Sequence, residues 1–400
     1  MSSPPDWQLH PEISSRLLLV RDLQMHILEA GNPENALILL LHGFPELAYS
    51  WRKIMYPLAA SGYHVVAPDQ RGFGRTTSIK RDGAYPLDYP ITYGENLAPY
   101  RLLNVAQDIT SLVSALDHTT AHAVVGHDFG SLVAGCCTLI RPDVFKRVVM
   151  MSAPFSGFPA LRVSSDALGH SNEGLPAFPP RVDQELARLD PPRKHYTSYF
   201  STPEANEDMW RASGGLHAFL RAYYHVKSAD WLPNNPHPLS SASGESLALM
   251  PGYYIMPIEQ TMPETVLPCA PTREEVDHNT WLPDTELSIY VSDYRRTGFQ
   301  GGLNWYRCLI EGSGQDAKEL MEFGPLGGRI NVPAMFIGGT KDWGVWQSFG
   351  AVDKMKELFV QMGDANFVLV PDAGHWVQQE RPEQVVQWLQ TFVARTDREC

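Results

Sequence analysis

The sequence predicts an α/β fold, a mostly parallel sheet with helices on both faces, interrupted by one long and mainly helical insertion. Three observations predict it. Short apolar runs at 36–44 (ALILLLHGF), 64–69 (HVVAPD) and 122–128 (HAVVGHD) alternate with stretches such as 101–117 (RLLNVAQDITSLVSALD), whose apolar residues recur at three and four. Strands that are apolar without alternation are buried on both faces, which is the condition of a parallel sheet. The alternation stops after 146–154 (KRVVMMSAP) and resumes only at 332–339 (VPAMFIGG). Finally, the run 124–135 joins a β-branched strand to a helical pattern through Gly126-x-Asp128-x-Gly130, a strand–turn–helix signature.

Taken in order, residues 16–30 read as an antiparallel opening hairpin turning at Arg21-Asp22. Three strand–helix units follow, up to about 154. After the insertion come a helix near 346–360, a strand within 366–375 and a closing helix from about 381 to 394. The expected organisation is therefore a core in two parts, 1–154 and 331–400, with residues 155–330 as a cap over the carboxyl edge of the sheet, where open α/β sheets bind ligands. Nine prolines between Trp231 and Pro283 make part of that cap irregular. An ordered loop of such length is more often functional than a linker.

Composition narrows the function. With 400 residues and 44% hydrophobic content the chain can bury a large core. Its formal net charge of −13, with no dense Lys/Arg run, disfavours phosphate backbones and anionic headgroups, so no nucleic acid partner is expected. No apolar run approaches 18 residues and the first residues show no basic and apolar leader, so neither membrane insertion nor export is expected and a cytoplasmic location follows. The five cysteines, Cys136, Cys137, Cys269, Cys308 and Cys400, lack CxxC spacing and read as reduced thiols. No cofactor and no metal are expected.

The Gly-x-Asp-x-Gly turn carries the chemistry. A nucleophile elbow projects its central side chain over the sheet edge, and here that side chain is a carboxylate. With an ordinary pKa of about 3.9, Asp128 is ionised at neutral pH and needs no base before attacking. The alternative is a simple helix cap. An attacking carboxylate makes an ester, and hydrolysing that ester requires a base. GHWVQ (374–378) puts His375 just after the last expected strand, and GGTKDWGVW (338–346) puts Asp342 just after the strand before it. Nucleophile, acid, histidine is the chain order this kind of triad uses, with Asp342 holding the tautomer of His375. His42 and His127 lie inside strand-end motifs and read as structural. LLHGFPE (40–46) should supply one oxyanion N–H from Phe44, with the second from Phe129 after the nucleophile. DQRGFG (69–74) reads as a structural turn.

These motifs, HGFPE, DQRGFG, GHDFGS, KD and GHW in that order, resemble the epoxide hydrolase branch of the α/β-hydrolase superfamily. The likeness spans most of 36–390, except the cap middle at about 205–285. HYTSYF followed by TPE (195–204) resembles the family's first cap-tyrosine segment and maps that tyrosine onto Tyr196. IYVSDYRRTGFQGGLNWYR (289–307) resembles the second and maps its tyrosine onto Tyr290. The resemblance implies that these two hydroxyls bind the epoxide oxygen and supply its proton, a task suited to a phenol of pKa about 10 facing a forming alkoxide. It also implies a small apolar epoxide and water as the reactants, with a vicinal diol as product.

One departure separates the rivals. Many relatives carry Trp after the nucleophile, where Phe129 stands here. Haloalkane and haloacid dehalogenases use the same carboxylate but need side-chain N–H donors for the halide, which Phe129 cannot supply. A serine esterase would need a hydroxyl at 128. A non-catalytic ligand-binding protein of the same fold is the rival of another class.

Overall fold

In the computed structural model, which describes residues 7–79, 90–157, 180–311 and 329–399, β1 (Ile13–Val20) and β2 (Leu23–Ala30) pair antiparallel through the turn at Arg21-Asp22. The chain then builds β3 (Leu37–Leu41), α1 (Arg52–Ala60), β4 (His64–Pro68), the short β5 (Thr77–Ser78), α2 (Leu102–Ala115), β6 (Ala123–His127), α3 (Phe129–Ile140) and β7 (Val148–Met151). Every residue of β3, β4, β6 and β7 is buried, as the unbroken apolar runs require of strands covered on both faces.

Strand order in the sheet is β1-β2-β4-β3-β6-β7-β10-β11, where β10 is Ala334–Gly339, β11 is Phe367–Val370 and β5 lies beside β2. β1, β2 and β5 run antiparallel, and the pairs from β4 to β11 run parallel. From β3 the chain moves to β4 on one side and later returns to β6 on the other, so the carboxyl ends of β3 and β6 flank a topological switch point. A crevice opens at such a point. The loop after β3 holds Phe44, and the turn after β6 holds Asp128.

β7 and β10 (Ala334–Gly339) are direct neighbours, Val148 beside Ala334, although 182 residues of chain separate Met151 from Ala334. In that interval the chain leaves the sheet. Its described residues form α4 (Pro180–Ala187), β8 (Arg193–His195), α5 (Tyr196–Phe200), α6 (Ala205–Trp210), α7 (Gly215–Lys227), α8 (Gly244–Leu247), β9 (Ile255–Pro257), α9 (Met262–Val266), α10 (Arg273–His278), α11 (Asp284–Thr297) and α12 (Gln300–Glu311). Residues 158–179 and 312–328 of the expected cap lie outside the described residues. The proline-rich stretch is ordered rather than a bare loop. Capping boxes at Thr261/Glu264 and Thr272/Glu275 start α9 and α10. β9 pairs with β8, and the carbonyl of Tyr254 accepts the N–H of Tyr196 at 2.9 Å, so this stretch fixes the start of α5.

These helices meet the core at the crevice: the Tyr224 hydroxyl donates to the Pro45 carbonyl (3.1 Å) and the Trp376 indole to the Tyr224 carbonyl (2.8 Å). The core closes with β11 (Phe367–Val370) and three helices, one of them the single turn Val377–Glu380. The helix expected at 346–360 is shorter, Ala351–Leu358, because 343–345 form a single tight turn and Gly350 starts the helix at φ +67°. The closing helix is longer, Pro382–Glu399. Among the described residues no helix is long and apolar enough to cross a membrane. Among the described residues Cys136, Cys137, Cys269 and Cys308 form no disulfide, and Cys400 lies outside the described residues.

Candidate active site

The turn after β6 leaves no room for side chains beside Asp128. A Cβ on Gly126 would sit 1.9 Å from the Gly130 carbonyl oxygen, and one on Gly130 would sit 2.2 Å from that of Leu41. With both positions bare, Asp128 is held at φ 54°, ψ −119°, a conformation that costs a non-glycine residue about 1–3 kcal/mol. Its side chain makes no capping bond to α3. The helix-cap alternative for this aspartate therefore fails, and the carboxylate points instead into the crevice.

Its two oxygens have different neighbours. Oδ1 accepts the backbone N–H of Phe44 at 3.0 Å, and Oδ2 lies 3.4 Å from Nε2 of His375. That contact is close enough for charge interaction but too poorly aligned for a hydrogen bond, leaving Nε2 unpartnered. On the other side of the ring, Nδ1 of His375 meets Oδ1 of Asp342 at 3.0 Å, and the same oxygen accepts the N–H of Gly344 at 2.7 Å. An Nδ1–H donated to Asp342 leaves the Nε2 lone pair facing the nucleophile. Phe129, the other expected N–H donor, opens α3, where first-turn N–H groups have no partner within the helix.

Burial disfavours charge on Asp128, but the adjoining His375, the Lys227 ammonium and His127 outweigh it and hold the carboxyl well below the usual carboxylate range. Burial and Lys227 push His375 down, while Asp342 and Asp128 outweigh both and hold its proton more tightly than an ordinary histidine does. His127 is structural, as expected: Nδ1 bonds Glu46 (2.6 Å) and Nε2 bonds the carbonyl of His375 (2.7 Å). His42 bonds the Gly43 carbonyl and accepts from the N–H of Gln70. In DQRGFG, Asp69 accepts the N–H groups of Ala48 and Arg75, a structural role again.

Known proteins resemble this chain in sequence and in fold. Residues 36–211 match the α/β-hydrolase fold family. Epoxide hydrolase A of Mycobacterium tuberculosis is 31% identical over 392 residues, 95% of this chain and 97% of that protein. The chain belongs to the epoxide hydrolase family. Among solved structures, an epoxide hydrolase from an endophytic Streptomyces aligns over 97% of both chains with a TM-score of 0.70 at 27% identity. Epoxide hydrolase I of potato (Solanum tuberosum) aligns over 96% of this chain and 99% of its own, with a TM-score of 0.66 at 26% identity.

Of the two tyrosines that the family resemblance mapped, the structure brings only one to the nucleophile. Tyr196, 7% exposed, opens α5 and donates to Oε1 of Gln347 at 3.2 Å. Burial, then the Asp128 carboxylate, raises its pKa and keeps the phenol protonated. Tyr290 lies elsewhere. Its hydroxyl donates to Gln379 (3.3 Å), its ring packs on Tyr49 and Tyr224, and the charges acting most on it are those of Arg52 and Glu46.

Tyr306 stands where the second hydroxyl was expected. Its ring lies 4.9 Å from that of Phe129, 5.5 Å from Phe44 and 5.8 Å from Tyr196, and burial followed by Asp128 raises its pKa. The reason is the path of the chain. Gly298, at φ +63°, ends α11, and α12 then docks so closely that a Cβ on Gly301 would sit 1.9 Å from the Gly72 carbonyl oxygen. Gly302 faces Phe44 and Phe73, and a residue four positions on shares its helix face. That residue is Tyr306. The Gly-Gly pair inside a helical pattern was the available signal for a close approach. Sequence reading also missed Glu46, fully buried and accepting from His127, Gln378 and Gln379, and it missed Lys227.

Proposed function

We propose that this protein hydrolyses apolar epoxides to vicinal diols through an ester on Asp128. The observation that carries this reading is the strained Asp128 carboxylate, one oxygen held by the Phe44 N–H and the other facing an unpartnered imidazole nitrogen. Oδ2 attacks an epoxide carbon, the carbon–oxygen bond breaks, and the leaving oxygen takes a proton from the Tyr196 and Tyr306 hydroxyls. Water then attacks the ester carbon while His375 Nε2 takes its proton and Asp342 stabilises the imidazolium. Oδ1, now the carbonyl oxygen, becomes the oxyanion that the Phe44 and Phe129 N–H groups bind. Collapse releases the diol, whose departing oxygen takes the proton from His375, and the second proton of the water leaves the regenerated Asp128 carboxylate for the tyrosinate.

Residues 155–330 act as a cap that brings both hydroxyls to the core and keeps water out. The rings of Phe44, Phe129 and Phe200 around the two phenols suit an apolar substrate. Among the described residues the four cysteines form no disulfide, which is consistent with a reducing, cytoplasmic setting. Against dehalogenation, the Phe129 side chain has no N–H to offer a halide, and the indole it packs on, Trp305 at 5.3 Å, already donates to the carbonyl of Arg71. The test compares styrene oxide with bromoalkanes on the purified enzyme. Diol release that is lost in Asp128→Ala supports the proposal, and faster halide release overturns it.

A further inference from the structure

The end of α7 holds a lysine that is almost wholly buried. Lys227 is 4% exposed, and among the described residues its ammonium has no hydrogen bond and no ion-pair partner within 4 Å. Aromatic rings surround it instead: Tyr254 at 4.9 Å, Tyr223 at 5.4 Å, Trp376 at 5.7 Å and Tyr253 at 5.9 Å from ring centroid to Nζ. Ring faces attract a cation but replace only part of its lost hydration. A charge kept at such a cost, inside an active site, calls for a role.

The cage is continuous with the triad. Lys227 offers its carbonyl to the N–H of His375 at 2.8 Å, and Trp376 packs its ring 4.7 Å from that of His375. Burial pulls the Lys227 pKa below the usual lysine range, and the carboxylates of Asp128, Asp342 and Glu46 act against it to hold the proton on the ammonium. Around His375 itself stand Asp128 from the elbow, Asp342 from the loop after β10, and His127 with its partner Glu46. The Glu380 carboxylate lies behind, accepting the N–H groups of Gly374 and Trp376. Lys227 is the one ammonium in this set, and Tyr254 stands between it and Tyr196.

Ester formation changes the charge balance. In the free enzyme the Asp128 carboxylate offsets Lys227, and in the ester that negative charge is gone. We infer that the caged Lys227 ammonium is an electrostatic positioning residue for hydrolysis: left without its Asp128 counter-charge, it repels a proton on His375 and keeps the imidazole free to take one from water. Water oxygen bonds to the acyl carbon of the ester, one water proton passes to Nε2, the bond between that carbon and the alkoxy oxygen breaks, and the departing oxygen takes the proton from Nε2 as the diol.

This inference rests on the ester mechanism proposed above, so the two are tested separately with styrene oxide as the probe. Accumulation of ester in His375→Gln tests the mechanism, and its absence would remove the basis for Lys227 as well. The rate of ester hydrolysis, followed across pH in single-turnover experiments, tests Lys227. Lys227→Met fills the cage without charge, Lys227→Gln is a second neutral replacement should the first fold poorly, and Lys227→Arg keeps the charge. Removing a positive charge lets His375 hold its proton to higher pH, so the acid limb should move up by about one pH unit, roughly tenfold slower hydrolysis below it. Lys227→Arg should restore most of the shift. A purely packing role would slow all pH values alike. The inference is overturned if the limb stays in place in both neutral variants, or if Lys227→Arg displaces it as far as Lys227→Met.

Discussion

Replacing each of three tyrosines by phenylalanine separates the pair that faces Asp128 from the one that does not. Tyr306 and Tyr196 are buried to within 3% and 7% exposure, and their rings pack on Phe44, Phe129 and Phe200. Phenylalanine preserves that packing and removes only the hydroxyl. In a site closed to bulk water, one donor aimed at a forming oxyanion is worth about 1.4–4 kcal/mol, so ester formation should slow roughly 10- to 1000-fold in Tyr306→Phe and in Tyr196→Phe. Tyr290→Phe removes a bond to Gln379 in a network with Arg52 and Glu46. Its cost should appear in stability, about 0.5–1.5 kcal/mol, with little change in ester formation. Rapid-mixing single-turnover kinetics read the first step directly, and urea unfolding reads the second quantity. A Tyr306→Phe enzyme forming ester at the normal rate, with Tyr290→Phe slowed instead, would refute the assignment.

Two further outcomes follow from the same geometry. Gly126→Ala would force a Cβ to within 1.9 Å of the Gly130 carbonyl, so it should cost more than about 3 kcal/mol in urea unfolding, whereas Gly363→Ala, where a Cβ meets nothing within 4 Å, should be close to neutral. For pH, the free enzyme holds the His375 proton above the ordinary histidine range because Asp342 and Asp128 outweigh burial and Lys227. Esterification removes the Asp128 contribution. The imidazole should therefore titrate at higher pH in the free enzyme, read by proton NMR, than in the ester, read from the acid limb of hydrolysis; coincident values would contradict the charge accounting.

How much of this was legible in the sequence depended on how local each constraint was. The elbow, the triad order and the sheet could be read because each rests on a few consecutive residues whose spacing admits one geometry, as in Gly126-x-Asp128-x-Gly130. The proline-rich stretch 231–283 could not, since its role comes from pairing β9 with β8 and supporting Tyr196 through the carbonyl of Tyr254. Family likeness picks Tyr290 out of the segment 289–307. Which tyrosine of that segment faces Asp128 depends on the break at Gly298 and on how closely α12 meets Gly72, and a mapping by likeness does not encode those distances. Lys227 was invisible for a similar reason. A lysine near a helix end reads as solvated, and its cage draws rings from three separate stretches of the chain.

The claim beneath all of this is that Asp128 becomes covalently bonded to the substrate. His375→Gln removes the base needed for hydrolysis and leaves the carboxylate able to attack, so the ester should persist. Intact-protein mass spectrometry after mixing that variant with styrene oxide should show a gain equal to the mass of the epoxide, and peptide mapping should place it on Asp128. An unmodified protein, or an adduct mapped to any other residue while Asp128 is intact, would contradict the account.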